Sequence, residues 1–69
     1  MNTKFSEYDV VKSTRSLSDV VPRGTSGAVL LVFKSVHPQY EVEFIDNTGE
    51  SLAVLTVKEV DLELLQRAN

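Results

Sequence analysis

The chain has 69 residues, a formal net charge of −3 and no cysteine. A chain of this length has room for one domain with a modest core, and without cysteine it has neither disulfides nor thiolate metal sites. No apolar run approaches the roughly 20 residues of a membrane span, and the first residues lack the apolar region of a signal peptide. We therefore expect a cytoplasmic protein.

The charges are unevenly distributed along the chain. Residues 1–40 carry five basic and three acidic side chains, whereas residues 41–69 carry seven acidic and two basic ones. An acidic surface repels phosphate backbones and attracts basic proteins. The distribution argues against direct nucleic-acid binding and favours a basic protein partner. The alternative is a solvated surface that serves solubility alone.

In the first third of the chain, the sequence predicts a flexible N-terminal segment, a strand and a polar loop. Residues 1–6 are expected to be flexible, with Phe5 against the edge of the core, and a single domain is expected over residues 7–66. Residues 8–12 predict the first strand. The serine-rich segment 13–19 predicts a loop or a helical turn.

The next segment is a turn followed by an apolar run. Gly24 and Gly27 permit a tight reversal over residues 23–27. This is not a phosphate-binding loop, because a strand follows it and it lacks a Lys-Ser/Thr pair. The run 28–33 is apolar throughout and rich in aliphatic residues, which predicts the central and most buried strand.

The clearest pattern is a hairpin over residues 40–55. Residues 40–44 alternate between apolar and acidic side chains, so Glu41 and Glu43 share the solvent side of a half-buried strand. The loop Asp46-Asn47-Thr48-Gly49 has the residues of a tight turn, with glycine supplying positive φ.

The last segment is ambiguous between strand and helix. Thr56 and Glu59 have the spacing of a capping box, which predicts a helical turn. Apolar residues in 57–65 fit both a period of two and a helical stripe. We expect one helical turn followed by a short final strand over 61–65.

Five short strands in this order predict a mainly β protein, a small SH3-like five-stranded barrel with one short helical turn before the last strand. Closure into a barrel also removes the exposed edges at which apolar strands aggregate.

The sequence contains two features that resemble catalytic groups, a histidine and a pair of glutamates. His37 is the only histidine, and a loop position exposed to solvent is its simpler interpretation. Glu41 and Glu43 lie about 7 Å apart along a strand, as in some glycosidases, but strand alternation places them on an open surface without a cleft. We therefore expect no enzyme activity, no cofactor, no metal and no small-molecule substrate.

The order of these motifs resembles a family of uncharacterised small bacterial SH3-like proteins. The likeness spans about residues 8–64 and is carried by Tyr8-Asp9-Val10-Val11, residues 22–29, residues 40–44, Gly49 and Asp61-Leu62. The Gly-Thr-x-Gly turn is similar to that of the SH3-like domain in the nitrile hydratase β-subunit. The resemblance implies an immunity partner of polymorphic toxins, including nuclease toxins of contact-dependent growth inhibition systems. It supplies no motif of functional residues.

The resulting hypothesis is an immunity protein that binds a basic toxin domain, in a heterodimer, and blocks its active site. The expected contacts are Glu41, Glu43, Asp46, Glu50 and Glu59, with Tyr8 or Tyr40 as an aromatic anchor if exposed. We expect Tyr40 to lie in the core instead. The alternative is an accessory or helper domain of a bacterial enzyme, which the nitrile hydratase likeness suggests.

Overall fold

Five antiparallel strands and one 3-10 turn account for most of the chain in the computed structural model, which describes residues 2–69. The elements are β1 (Val10–Ser13), β2 (Ser26–Phe33), β3 (Gln39–Ile45), β4 (Ser51–Lys58), the turn Glu59–Asp61 and β5 (Leu62–Gln66). They form one sheet in the order β4-β3-β2-β1-β5. The last strand thus pairs with the first, and the 3-10 turn directly precedes the last strand. The predicted fold class is therefore confirmed.

The β3–β4 hairpin forms as the alternation and turn residues predict. Asp46 Oδ1 accepts hydrogen bonds from the Thr48 N–H at 2.8 Å, the Thr48 hydroxyl at 2.6 Å and the Glu50 N–H at 3.0 Å. Gly49 has φ +89°, a value that side chains disfavour. One carboxylate and one glycine thus determine the shape of this loop.

The core is built around β3, whose alternate residues point inward. Tyr40, as expected, is completely buried. The buried apolar side chains come from every strand and from the segments before β1 and β2: Phe5, Val11, Val21, Val29, Tyr40, Val42, Phe44, Val57 and Leu62. The other side of β3 carries its glutamates.

β2 is the central strand, but it is not the most buried one. The pairing register between β2 and β3 shifts between Val29 and Leu31, which is a β-bulge with Leu30 as the extra residue. Beyond the bulge, Leu31 and Phe33 are about half exposed. The prediction of a fully buried strand is wrong there, because neither another sheet nor a helix of the described chain covers this side of β2.

The predicted capping box is wrong, although the helical turn that it suggested is present. Lys58 precedes the 3-10 turn, and its side chain makes no capping hydrogen bond. The Thr56 hydroxyl instead donates to Glu41 Oε1 at 2.6 Å. Glu59 accepts from the Tyr40 hydroxyl and, at 3.0 Å, from the Lys4 N–H. Both side chains therefore form hydrogen bonds with residues that are distant in sequence, and not with each other's backbone.

The first residues pack onto the barrel. Phe5 is completely buried, and its ring meets that of Tyr40 edge to face with centroids 5.2 Å apart. Packing thus begins before the predicted domain start at residue 7. The predicted flexibility of residues 1–6 stays a prediction, and Met1 lies outside the described residues. Within residues 2–69, no helix is long and apolar enough to span a membrane.

Candidate functional site

The side of β2, β3 and β4 that points away from the core is open and carries both acidic and apolar side chains. We call it the outer face and define it by Leu31, Phe33, Glu41, Glu43, Val54 and Thr56. In the pairing register, Glu41 lies between Leu31 and Thr56, and Glu43 lies opposite Val54. The two carboxylates thus occupy the middle strand and have neighbours on both sides.

Glu41 is held in place by its neighbour on β4. Its Oε1 accepts the Thr56 hydroxyl, and within residues 2–69 no hydrogen bond to Oε2 is present. Glu41 and Glu43 are both partly buried, and residues two apart on a strand lie about 7 Å from each other. The pair therefore presents two negative charges at a spacing fixed by the strand.

The apolar part of the outer face is the component that the sequence interpretation missed. Leu31, Phe33 and Val54 are 49%, 46% and 48% exposed. Apolar side chains that cluster on a surface with polar residues around them are typical of protein interaction sites. A sequence signal for Val54 existed, since it has the same parity along β4 as Thr56 and Lys58. Leu31 and Phe33 could not be assigned without the bulge.

Asp46 and Glu50 lie at the turn end of the hairpin, beyond the outer face. Hydrogen bonds lower the pKa of Asp46: the bond from the Thr48 side chain has the largest effect, followed by those from the backbone N–H groups of Thr48 and Glu50. Its Oδ1 is therefore occupied by the loop itself, whereas Glu50 is exposed. These two acids can contribute charge at the margin of a complex.

Glu59 is separated from the other four predicted contacts and belongs to a structural network. Two hydrogen bonds lower the pKa of Glu59: the one from the Tyr40 hydroxyl has the larger effect, and the one from the Lys4 N–H the smaller. Burial and the same hydrogen bond to Glu59 raise the pKa of Tyr40. The structure thus brings Glu41 and Glu43 together and uses Glu59 to attach the first residues to the barrel.

His37 and the metal-ligating residue types complete the description of the polar groups. His37 is exposed in the loop between β2 and β3. Residues 2–69 contain no group of three or more histidine, cysteine, aspartate or glutamate residues placed to hold a metal ion. The arrangement that stands out chemically is the carboxylate pair with its apolar neighbours.

Comparison with protein families gives a match over most of the chain. A family model described as a domain of unknown function (DUF4926) matches residues 7–64. Comparison with curated proteins and with solved structures found no match. The matched range spans all of β1 to β4 and the start of β5, so it includes the whole outer face.

Proposed function

We propose that this chain, which belongs to the DUF4926 family, is a protein-binding module whose outer face takes the basic surface of a partner protein. The observation that carries the proposal is the position of Glu41 and Glu43 on β3, with exposed Leu31 and Phe33 on one side and Val54 on the other.

Charge and apolar contact reinforce each other in such a face. Apolar side chains that close against a partner exclude water, and the attraction between a carboxylate and a cation grows as the local dielectric constant falls. Complementary charge also speeds the encounter of the two proteins. A partner with lysine or arginine side chains among aliphatic ones therefore fits this surface.

The partner in this proposal is a toxin domain with nuclease activity, and the chain is its immunity protein. A nuclease presents basic residues to hold the phosphates of its substrate. Carboxylates of the outer face would take the place of those phosphates and block the active site in a heterodimer. The acidic second half of the chain and the family resemblance described above support this choice.

The first test is a charge reversal on the outer face. The partner is first isolated from cells of the source organism in complex with this protein and identified by mass spectrometry. Glu41→Lys/Glu43→Lys should then weaken binding to this partner at least about a hundredfold, or about 2.8 kcal/mol, because two attractions become repulsions. Calorimetry measures the affinity. A nuclease assay then tests for inhibition at a one-to-one ratio.

The matched control is Asp19→Lys/Glu63→Lys, which makes the same charge change at two exposed positions outside the outer face. It should leave the affinity within about threefold in moderate salt, since distant exposed charges are screened. Equal losses in both variants would remove the outer face from the proposal. Capture of a metabolic enzyme subunit would instead support the accessory-domain alternative.

A further inference from the structure

The sheet ends at two strands of different character, β4 and β5. They lie at opposite ends of the strand order and do not pair with each other within residues 2–69. β5 is five residues long and carries Glu63, which forms an ion pair with Lys12 at 3.9 Å. β4 has eight residues, and residues 51–57 contain neither charge nor proline. Shortness, charge and proline keep sheet edges from pairing with another chain. β5 has the first two of these features, and β4 lacks all three over most of its length.

The free edge of β4 presents unpaired backbone groups. In an antiparallel pair, every second residue directs its N–H and C=O away from the partner strand. β4 pairs with β3 alone, and a bulge at Leu52 interrupts this pairing only near the start of β4. Within the described chain, no backbone–backbone hydrogen bond from outside this pair reaches residues 51–58. Residues 55–58 border a groove of about 230 Å³ with Arg15 and Leu17, so the loop that comes near this edge leaves space beside it.

Exposed aliphatic side chains accompany these backbone groups. Leu52 and Val54 are 37% and 48% exposed. An uncharged apolar segment of about seven residues with high β propensity is the kind of segment that pairs readily with another strand. Left open, such an edge leads to uncontrolled association, and a covering strand prevents it. The edge of β4 therefore has the properties of a strand-pairing surface.

The charges at the two ends of β4 are complementary to a second copy of the same strand. Glu50 comes directly before β4, Lys58 is its last residue, and both side chains are exposed. Neither forms an ion pair within residues 2–69. When two copies of β4 run antiparallel, the Glu50 end of each strand meets the Lys58 end of the other. Two-fold symmetry forms this contact twice and places Val54 of each copy near the axis.

We propose that the protein forms a homodimer in which the β4 strands of two copies pair antiparallel and join their sheets. Residues opposite each other in an antiparallel pair have their side chains on the same side of the sheet. The outer faces of the two copies therefore become one surface, which carries Glu41 and Glu43 of both. Backbone pairing and a few aliphatic side chains make a small interface, so the dimer belongs to the weak class.

The experiment is sedimentation equilibrium of the isolated protein from about 10 μM to 1 mM, the range in which small interfaces associate. The 7.7 kDa chain should be a dimer at the upper concentrations. Val54→Lys places two like charges near the axis and should weaken dimerisation at least about tenfold. The matched control is Leu31→Lys, because Leu31 is equally exposed, at 49%, but lies on β2 in the interior of the sheet. The control should stay within about twofold of the parent.

A charge exchange tests the antiparallel arrangement without changing Val54. Glu50→Lys alone and Lys58→Glu alone should each weaken dimerisation about fivefold, because each variant brings like charges together at both ends of the paired strands. Glu50→Lys/Lys58→Glu should restore dimerisation to within about threefold of the parent.

Three results would overturn the inference. The first is a parent that stays monomeric up to about 1 mM. The second is a dimer that Val54→Lys weakens no more than Leu31→Lys does, and the third is a double charge variant that dimerises as weakly as the single ones. Dimerisation is measured without any other protein, so its failure leaves the proposed binding of a basic partner untouched, and the reverse also holds.

Discussion

At the scale of single residues, Asp9 links the segment before β1 to the segment after β5. Its side chain is almost completely buried and accepts the N–H groups of Ser6 at 2.9 Å and Ala68 at 2.8 Å. Arg67 Nη1 adds an ion pair at 3.1 Å. Burial by itself would raise the pKa of Asp9, but the two backbone hydrogen bonds and Arg67 outweigh it and lower the pKa.

Asp9→Asn should destabilise the fold by about 2 kcal/mol, because an amide can accept fewer of these hydrogen bonds and carries no charge for Arg67. Urea unfolding at neutral pH measures the effect. Asp19→Asn, at an exposed position, is the control and should change stability by less than about 0.5 kcal/mol. A loss as small as the control's would mean that the Asp9 hydrogen bonds do not stabilise the fold.

The same carboxylate predicts a pH dependence. Its pKa in the folded state lies below the ordinary value of 3.8, so the stabilisation is complete well above that value and is lost as pH falls through the folded-state pKa. Parent stability should decline below about pH 5, and the decline should be shallower in Asp9→Asn. Parallel curves for the two proteins, measured by urea unfolding across this range, would assign the acid sensitivity to other groups.

At the scale of elements, the contact between β2 and β3 depends on the absence of a side chain at Gly27. A Cβ atom there would lie 2.6 Å from the Glu43 carbonyl oxygen and 2.8 Å from Val42 Cγ1. The backbone oxygen cannot move without shifting β3, the strand that carries the core residues and both glutamates of the outer face. Gly27 is thus a packing requirement rather than a turn residue.

Gly27→Ala should lower stability by about 1–3 kcal/mol, the usual cost of overpacking, and should perturb the NMR signals of Val42 and Glu43. Ser26→Ala, one residue earlier in the same strand, adds no volume and serves as the control. Retention of parent stability by Gly27→Ala would show that the two strands separate more easily than their packing implies.

The sequence predicted the elements that depend on neighbouring residues. The β3–β4 hairpin follows from alternation and from the turn residues Asp46 and Gly49, all of which are local. The bulge at Leu30 depends on how β2 meets β3, so no local pattern revealed it. The capping-box prediction was wrong because the hydrogen-bond donors to Glu59, Tyr40 and Lys4, are far away in sequence.

The candidate site was predictable to the same degree. Strand period placed Glu41 and Glu43 on the solvent side together, and they lie there. It could not show that Glu59 is held by Tyr40, nor that Leu31 and Phe33 emerge beside the glutamates. Charge is visible in a sequence, whereas the apolar half of a mixed surface becomes visible only when the fold shows which aliphatic residues stay uncovered.

At the scale of the whole molecule, the core of the barrel is completed from outside its strands. Phe5 precedes β1 by several residues and packs on Tyr40 within the single core. The Phe5 N–H donates to the Tyr40 hydroxyl at 3.3 Å, and the Lys4 carbonyl accepts Arg67 Nη1 at 3.1 Å. Small domains bury little surface, so one such ring is a large share of their stability.

Phe5→Ala should cost about 3–4 kcal/mol, because a fully buried ring is replaced by a cavity. Small domains have total stabilities of about 5–10 kcal/mol, so the variant should unfold at much lower urea concentration. Phe5→Leu fills most of the space and should lose less than half as much. If Phe5→Ala matched the parent, the first residues would contribute nothing to the folded core.

The position of Phe5, Arg67 and Ala68 has a practical consequence for producing this protein and its relatives. The family match ends at residues 7 and 64, inside all three of these contacts. A recombinant fragment trimmed to those limits would lack the Phe5 ring that covers Tyr40. It would also lack Arg67 and Ala68, which donate hydrogen bonds to the Asp9 carboxylate. Such a fragment should be recovered in poor yield and partly aggregated, and keeping a few flanking residues at each end should restore it.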